Sequence, residues 1–266
     1  MTKGKPLFSC ASWNIHRGRG GDGLVNPVRI ADVLERDICH PMLDALILQE
    51  ADEELPPHRG FLDLARVEAA TGLRHVHSAA ESRWGTDSHG FLGVIIFVRP
   101  EWHIEDVTLV DLPGHCHRGA VIADLAGDGQ LLRLIGTHLS LSQGLRVAQM
   151  RTLGQHLFRR PTRQTVLCGD LNEWRPWGGL ALSRRVTGLA FAGPAPATFP
   201  IGRPFLPLDR ILATSPARVV RTRVLDSEGI RMASDHRPIS AEIMLSQHPQ
   251  DMPQARSQRI RPEDGQ

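Results

Sequence analysis

Short clusters of acidic, amide and imidazole residues close one apolar run after another along this chain. Five of them precede the last one, Asp235-His236. The five are Trp13-Asn14-Ile15-His16, Leu48-Gln49-Glu50, Gly136-Thr137-His138-Leu139-Ser140, Gly169-Asp170-Leu171-Asn172 and Leu208-Asp209-Arg210-Ile211-Leu212. Short apolar runs bounded by polar residues are typical of buried strands. A carboxylate at the end of such a strand must reach water or a cation, because burying an unpaired charge is costly.

Hydrophobic periodicity and turn residues predict the elements between these clusters. We expect strands at residues 7–13, 44–49, 92–98, 104–110, 119–125, 131–137, 164–168, 208–213, 219–225 and 238–245. We expect helices at residues 61–70 and 143–158, and a further helix that starts at Asn26-Pro27 and stops at Pro41. Residues 193–207 form a proline-rich connection.

The order of these elements favours a single α/β domain, because helices dispersed among many strands are typical of packed sheets with helices outside. No internal repeat or linker divides the body, so the domain is expected to cover residues 1–245. The stretch from Ser246 to the end is polar and has no period, which predicts a disordered tail over residues 246–266.

Composition narrows the function classes. The apolar fraction is 41%, and the charged fraction of 23% is ordinary for a soluble protein. The formal net charge is +2, whereas dedicated nucleic-acid binders usually carry a clear basic patch or stripe. Charge therefore does not by itself indicate a nucleic-acid or membrane-surface partner. The chain has no tyrosine, which excludes a phenolic catalyst.

The cysteine spacing and the first residues of the sequence indicate the cellular compartment. Cys10, Cys39, Cys116 and Cys168 are far apart and form no C-x-x-C pair, so we expect reduced, structural thiols of a cytosolic chain. The first six residues are polar, and no apolar run reaches the length of a membrane span. We expect a soluble, cytoplasmic protein with no stable membrane insertion and no obligate protein partner.

A glycine-rich stretch follows the first predicted strand. Gly18-Arg19-Gly20-Gly21-Asp22-Gly23 matches the G-x-G-x-x-G pattern of dinucleotide-binding folds. Four residues separate its last glycine from the start of the helix, so the glycines would not pack at the helix N-terminus. A mobile loop beside the functional site is the favoured interpretation.

Taken singly, the polar residues have ordinary explanations. Glu50 would be a solvated strand end, Asn14 a turn former and His138 an interior histidine. Asp170 and Asn172 are alternate residues leaving a strand, so they point the same way and can converge on one ligand. Oxygen ligands of this kind suit Mg²⁺, Mn²⁺ or Ca²⁺ better than zinc.

Taken in order, the clusters resemble the endonuclease/exonuclease/phosphatase (DNase I-like) superfamily over about residues 7–245. Its members include DNase I-like nucleases, exonuclease III-like repair enzymes, inositol polyphosphate 5-phosphatases and neutral sphingomyelinases. The matching pieces are Trp13-Asn14-Ile15, Leu48-Gln49-Glu50, Gly136-Thr137-His138-Leu139, Gly169-Asp170-Leu171-Asn172, Thr198-Phe199-Pro200, Leu208-Asp209-Arg210-Ile211-Leu212 and Ser234-Asp235-His236.

The resemblance implies a four-layered sandwich: two mixed β-sheets face to face, with helices on the outer faces. It implies a Mg²⁺ or Mn²⁺ ion held by Glu50, with help from Asn14 and Asp235.

The resemblance also implies the catalytic roles. Asp170 and Asn172 would lie beside the scissile phosphate, with Asp170 orienting the water or holding a second metal. His236 would pair with Asp209 as a general base. His138 would contact the phosphate or protonate the leaving oxygen.

Arg118 resembles an arginine ahead of a family strand, and it would either brace the site or contact the phosphate.

Two positions depart from the repair enzymes of this family. Those enzymes usually carry a second asparagine where this chain has His16, and they use a catalytic tyrosine, for which His89 is the candidate replacement. Both departures argue against an abasic-site endonuclease. The inositol phosphatase signature around Asp170 is not evident either.

The expected reaction is hydrolysis of a phosphoester by an activated water. Diesters are favoured, because two histidines permit base and acid work on opposite sides of phosphorus. Nucleic acid and lipid or other small diesters both stay open as substrates. Trp174 and Trp177 are candidates for the substrate rim or, equally, for the core.

Three alternatives stay beside this interpretation. One is a phosphomonoesterase of inositol-phosphate type, and another is a binding module that kept the fold and lost the chemistry. The third is a zinc protein that uses His115-Cys116-His117 or the pair His75 and His77.

Overall fold

The computed structural model describes residues 7–115 and 117–246. Its strands are β1 (Leu7–Asn14), β2 (Ala45–Gln49), β3 (Arg74–His75), β4 (Ile95–Val98), β5 (His103–Leu112), β6 (Arg118–Gly127), β7 (Gln130–His138), β8 (Gln164–Asp170), β9 (Phe191–Ala192), β10 (Asp209–Thr214), β11 (Arg218–Val224) and β12 (Ile239–Met244). Its helices are α1 (Pro27–Val33), α2 (Leu64–Thr71), α3 (Gln143–Phe158), α4 (Arg184–Thr187) and α5 (Glu228–Ala233).

The strands form two mixed sheets with the orders β11-β12-β1-β2-β4-β3 and β5-β6-β7-β8-β10-β9. Each sheet contains one parallel pair, β1 with β2 and β7 with β8. Strands β10 and β12 run antiparallel to β8 and β1. Since parallel strands end at the same edge and an antiparallel neighbour begins there, one edge of each sheet collects the polar clusters.

Alternating side chains build the four layers. The inward faces of both sheets meet in one core that includes Cys10, Ile47, Leu134 and Cys168. The outward face of the first sheet packs on α1, α2 and α5, and that of the second packs on α3 and α4. The fold is therefore the two-sheet α/β sandwich with helices outside, as the sequence implied.

Local sequence explains the main helix boundaries. The Asn26 side chain accepts a hydrogen bond from the backbone of Arg29, and Pro27 occupies the first helical position of α1. Asp63 caps α2 in the same way, and Gly72 ends that helix with a φ of 69°. The predicted helix over 61–70 therefore starts later than expected, at Leu64.

One predicted strand is also shorter than expected. The strand predicted over residues 92–98 begins at Ile95, because Phe91 and Val94 hydrogen-bond to each other across a tight turn. Leu92 and Gly93 both have positive φ there, which an extended strand does not allow.

Some elements and segments fall outside the predictions. The sequence reasoning missed the two-residue strands β3 and β9 and the short helices α4 and α5. Within the described part of the chain, no helix is both long and apolar enough to cross a membrane. Residues 247–266, which hold nearly all of the expected tail, lie outside the described residues.

Candidate active site

The sheet edges bring together side chains that are distant in sequence. In the second sheet, His138 at the end of β7 and Asp209 at the start of β10 both pair in register with Asp170 at the end of β8. In the first sheet, Asn14 ends β1 and Glu50 directly follows β2. All five were predicted as site residues, and the strand ends explain why they converge.

Asn14 joins the two sheets. Its Nδ2 donates to Asp170 Oδ2 at 3.1 Å and to Glu50 Oε1 at 3.4 Å. Its Oδ1 accepts from the backbone N–H of His16, and Ser234 Oγ donates to its carbonyl at 2.7 Å. The amide is held from several sides, so the carboxylates of Glu50 and Asp170 are fixed on either side of it.

The predicted acid–imidazole pair forms. His236 Nδ1 donates to Asp209 Oδ2 at 2.8 Å, and Thr198 Oγ1 donates to the same oxygen at 2.6 Å. The backbone of His236 is held by Trp13, whose Nε1 donates to its carbonyl, and by Ser234 Oγ. Burial lowers the pKa of His236, but the charges of Asp209, Asp170 and Asp235 outweigh it and raise that pKa to about 10.

Asp170 lies in a crowded, buried environment. Burial first, and the charge of Asp209 second, raise the pKa of Asp170 to about 6. His236 and the hydrogen bonds from Asn14 and Asn172 act in the opposite direction. Ligand atoms of Asp170, Asp209 and His236 lie within 4.8 Å of one another. Such a group can accept a cation, which would relieve the repulsion between the two carboxylates.

His138 is held as a neutral imidazole. Arg118 Nη1 donates to its Nδ1 at 2.9 Å, so the ring proton belongs on Nε2. That nitrogen lies 3.4 Å from Asp170 Oδ2. Burial, followed by the charges of Arg118, His236 and Arg17, holds the pKa of His138 well below its usual range. Arg118 therefore braces His138, one of the two roles that the sequence left open.

Asn172 lies beside both Asp170 and His138. Its backbone N–H donates to Asp170 Oδ1 at 3.0 Å, and its Nδ2 donates to the carbonyl of Leu139 at 2.9 Å. The same Nδ2 lies 3.2 Å from His138 Nε2. These contacts place Asp170 and Asn172 side by side, and their convergence on one ligand stays a prediction.

Arg17 is a site residue that the sequence reasoning missed. Its Nη1 donates to Glu50 Oε2 at 2.6 Å, and its Nη2 lies 3.6 Å from Glu54. His16, Arg17 and Glu50 all have positive φ, which turns both chain segments toward each other. No feature of a lone arginine in a loop marks this contact beforehand.

Asp235 is less enclosed than the other predicted ligands. Its side chain is 41% exposed and lies 3.6 Å from His16 Nδ1. Ser234 Oγ is a further neighbour, at 3.5 Å. Its role as a metal ligand stays a prediction.

The tryptophans of the predicted rim are on the surface. Trp174 is 50% exposed and Trp177 is 77% exposed. The guanidinium of Arg175 stacks 4.3 Å from the Trp174 ring centroid. Core packing, the alternative explanation for these two side chains, is therefore wrong.

Other predicted histidines have structural partners. His89, the candidate replacement for a tyrosine, packs its ring over Gly60 and bonds to Asp52 through its backbone. His77 uses both ring nitrogens, at Ser82 O and the backbone N–H of Ile96, so it is not free to bind zinc. Cys116, part of the other zinc alternative, lies outside the described residues.

Solved structures with related folds include three informative cases. An endonuclease/exonuclease/phosphatase from Bacteroides vulgatus matches with a TM-score of 0.69 and 15% identity, covering 91% of this chain and 100% of its own. The mannosyl-6-phosphatase of Bacteroides thetaiotaomicron gives 0.65 and 16%, covering 90% and 100%. Truncated TDP2 of Caenorhabditis elegans gives 0.62 and 18%, covering 90% and 98%.

A family model covers most of the chain. The model for the Endonuclease/Exonuclease/phosphatase family matches residues 11–236, which include every site residue described above. A comparison with curated proteins found no significant match. The chain belongs to the endonuclease/exonuclease/phosphatase family of phosphoester hydrolases.

Proposed function

We propose that this chain is a divalent-metal-dependent phosphodiesterase that attacks phosphorus with an activated water. The observation that carries the proposal is one continuous set of contacts across both sheets. Asn14 links Glu50 to Asp170, and Asp170 lies 3.4 Å from His138 Nε2 and 3.8 Å from His236 Nε2. Anionic ligands and two imidazoles therefore surround one small volume.

The donor set fits a hard divalent cation. Carboxylate and amide oxygens from Glu50, Asp170 and Asn14 suit Mg²⁺ or Mn²⁺. Burial, and after it the charge of Asp209, raises the pKa of Asp170, and a cation would compensate the negative charge of both carboxylates. Asp209 Oδ1 is buried with no hydrogen-bond partner among the described residues, a second sign that the site expects a further positive or donor group. When bound, the ion supplies charge stabilisation at the phosphoryl oxygen.

Two histidines of the chain would carry out the proton transfers. His236 can take a proton from the attacking water at Nε2 once the ring is neutral, which requires a bound cation to offset the carboxylate charges that raise its pKa to about 10. Its Nδ1–H would remain hydrogen-bonded to Asp209. The resulting imidazolium is stabilised by that carboxylate. His138 keeps its proton on Nε2 because Arg118 donates to Nδ1, so this ring can donate a hydrogen bond to a phosphoryl or leaving oxygen.

The enclosed part of the cleft beside Glu50 and His138 is small, about 30 Å³, well below the roughly 300 to 1,000 Å³ of sites that enclose a small molecule. A substrate would therefore place only a small group, such as its phosphate, in this cleft. A monoesterase is the second candidate, because Arg17 and Arg118 both line this cleft and guanidinium groups are common partners of phosphate oxygens.

A substrate panel with Mg²⁺ or Mn²⁺ tests the proposal. It comprises bis-p-nitrophenyl phosphate, p-nitrophenyl phosphate, plasmid DNA, phosphatidyl and sphingolipid diesters, inositol phosphates and mannose 6-phosphate. We expect hydrolysis of a small diester that stops in EDTA and falls strongly in Asp170→Asn and His236→Ala. His103→Ala is the matched control, since His103 is exposed at the opposite end of the sheet. Activity that persists in EDTA and in both site variants would overturn the mechanism.

A further inference from the structure

We propose that His58 determines substrate specificity by accepting a hydrogen bond from a hydroxyl group on the alcohol part of the substrate. The preferred substrates are then phosphoesters of polyols, such as those of glycerol, sugars or inositol. This inference rests on the proposed phosphoesterase function and deepens it.

His58 lines the cleft that also includes two of the candidate site residues, Glu50 and His138. Arg118 is a further lining residue of this cleft. His58 is only 2% exposed, although it comes from the irregular segment between β2 and α2. This buried imidazole therefore shares a cleft with Glu50, Arg118 and His138, beside which the proposed phosphate would lie.

The proton of His58 has a defined position. Its Nδ1 lies 3.0 Å from the carbonyl oxygen of Glu53, which can only accept, so Nδ1 carries the hydrogen. The neutral ring therefore presents a lone pair at Nε2. That atom is buried, and among the described residues no group donates to it. Since buried acceptors are almost always satisfied, this one calls for a donor from outside the protein.

The ring is held rigidly. Trp84 contacts it edge to face with the ring centroids 5.5 Å apart, and His117 lies 5.7 Å away at a steep angle. His58 also has a φ of 56°, a backbone conformation that costs energy for a residue with a side chain. An imidazole fixed in this way selects the direction of its hydrogen-bond partner.

The charged side chains of the cleft indicate which chemical group would bind to His58 Nε2. The cleft is lined by two cationic side chains, Arg17 and Arg118, which can contact the negative oxygens of a phosphate, and by the carboxylates of Glu50, Asp52, Glu53 and Glu54. A lone pair at His58 Nε2 repels such oxygens and attracts an O–H group. The ligand must therefore carry a hydroxyl close to its phosphate. A polyol phosphoester meets this condition, and a simple alkyl phosphoester does not.

Two substitutions distinguish the role of His58 Nδ1, which bonds to Glu53, from that of Nε2, which would bind the substrate hydroxyl. His58→Asn places an amide N–H near the position of Nδ1, so it can keep the bond to Glu53 but offers no acceptor to the cleft. His58→Gln places an amide oxygen near the position of Nε2 and restores the acceptor. Both variants are compared with the wild type in thermal unfolding, so that a folding defect is recognised.

The test compares glycerol 3-phosphate with n-propyl phosphate, each as the monoester and as its methyl diester. Each is measured as a substrate or, where turnover is slow, as a competitive inhibitor of bis-p-nitrophenyl phosphate hydrolysis. We expect His58→Asn to weaken the glycerol esters about tenfold, mainly through KM or Ki, and to change the propyl esters less than about twofold. His58→Gln should recover most of the loss.

The contrary outcomes are distinct. An equal loss for both alcohols in His58→Asn would overturn the inference and assign His58 to a bound water or to the fold. A wild type that does not discriminate between the two alcohols would also overturn it. Failure of the wild type to hydrolyse any phosphoester would instead refute the proposed function, and this inference with it.

Discussion

His236 and Asp209 come from different sheets, and yet His236 Nδ1 lies 2.8 Å from Asp209 Oδ2. Asp209 begins β10 in the second sheet, whereas His236 precedes β12 in the first. Asn14 and Asp170 make the second such contact, at 3.1 Å. The packing of one sheet on the other thus positions both the proposed general base and the proposed metal ligands.

The Asp209 carboxylate should control the proton affinity of His236. In the metal-free chain the pKa of His236 is raised to about 10 despite burial, mainly by Asp209, because a carboxylate stabilises the imidazolium. Asp209→Asn should lower that pKa toward the ordinary value, as read from the ring nitrogens by NMR titration. It should also reduce kcat by about 10²- to 10⁴-fold. Asp226→Asn, a surface carboxylate paired with Arg231, is the control. An unchanged His236 titration would contradict this assignment.

Glu50 should dominate cation affinity. Its carboxylate is only 12% exposed and lies next to Asn14. Glu50→Gln removes a charged oxygen ligand, so Mn²⁺ binding measured by calorimetry should weaken at least about tenfold. Glu54→Gln is the matched control, because Glu54 is 60% exposed and only approaches Arg17. Equal Mn²⁺ affinity in wild type and Glu50→Gln would remove Glu50 from the ligand set.

Arg17 should compete with the cation for Glu50. The contact between Arg17 Nη1 and Glu50 Oε2 at 2.6 Å already neutralises the carboxylate that the metal would use. Arg17→Ala should therefore strengthen Mn²⁺ binding several-fold while it weakens phosphate binding in the cleft. Calorimetry with Mn²⁺ alone, and then with inorganic phosphate added, separates the two effects. Weaker Mn²⁺ binding in Arg17→Ala would show that the arginine supports the site instead.

Asp170 should destabilise the fold while it serves the reaction. Its pKa is raised to about 6 in the folded chain, so the folded state holds its proton more tightly than the unfolded state does. That contribution favours folding below the unfolded pKa and is lost as pH rises through about 6. In EDTA at pH 8, Asp170→Asn should therefore raise the free energy of unfolding by up to about 2 kcal/mol and abolish activity. A variant that is both inactive and less stable would contradict this account.

His77 should make stability fall in mild acid. Its Nδ1 donates to Ser82 O and its Nε2 accepts from the Ile96 N–H, so protonation places an N–H against another N–H. Burial lowers the pKa of His77 to about 4, and the unfolded chain therefore binds the proton first. The stabilising contribution is present near pH 7 and declines toward pH 4, by up to about 3 kcal/mol. Urea unfolding of wild type and His77→Gln from pH 4 to pH 7 should show this part of the slope only in the wild type.

The strands of the sandwich and the polar residues at their ends could be predicted from the sequence, because both depend on local patterns. Apolar runs mark strands, and a polar residue at the end of a run marks the sheet edge. Asn14, Glu50, His138, Asp170 and Asp209 all occupy such ends. Their convergence follows from strand order, which the family resemblance supplied.

Other contacts depend on geometry that leaves no local pattern. Arg17 reaches Glu50 through positive φ values on both sides, and His58 enters the cleft from an irregular loop. The helix α5 is capped by a hydrogen bond from the Ile230 N–H to Ser227 Oγ, and it is too short to show a hydrophobic period. The packing of the whole chain, and not its local sequence, determines these features.

Cys10 and Cys168 place their sulfur atoms 3.9 Å apart in the middle of the core, on the two strands that end in Asn14 and Asp170. We therefore expect the thickness of the interior at this point to influence the distance between Asn14 and Asp170 in the proposed catalytic centre. Substitutions that enlarge or shrink Cys10 or Cys168 would then change the distance between the strands that end in Asn14 and Asp170. The reaction rate would therefore depend on the volume of buried side chains that do not contact the substrate.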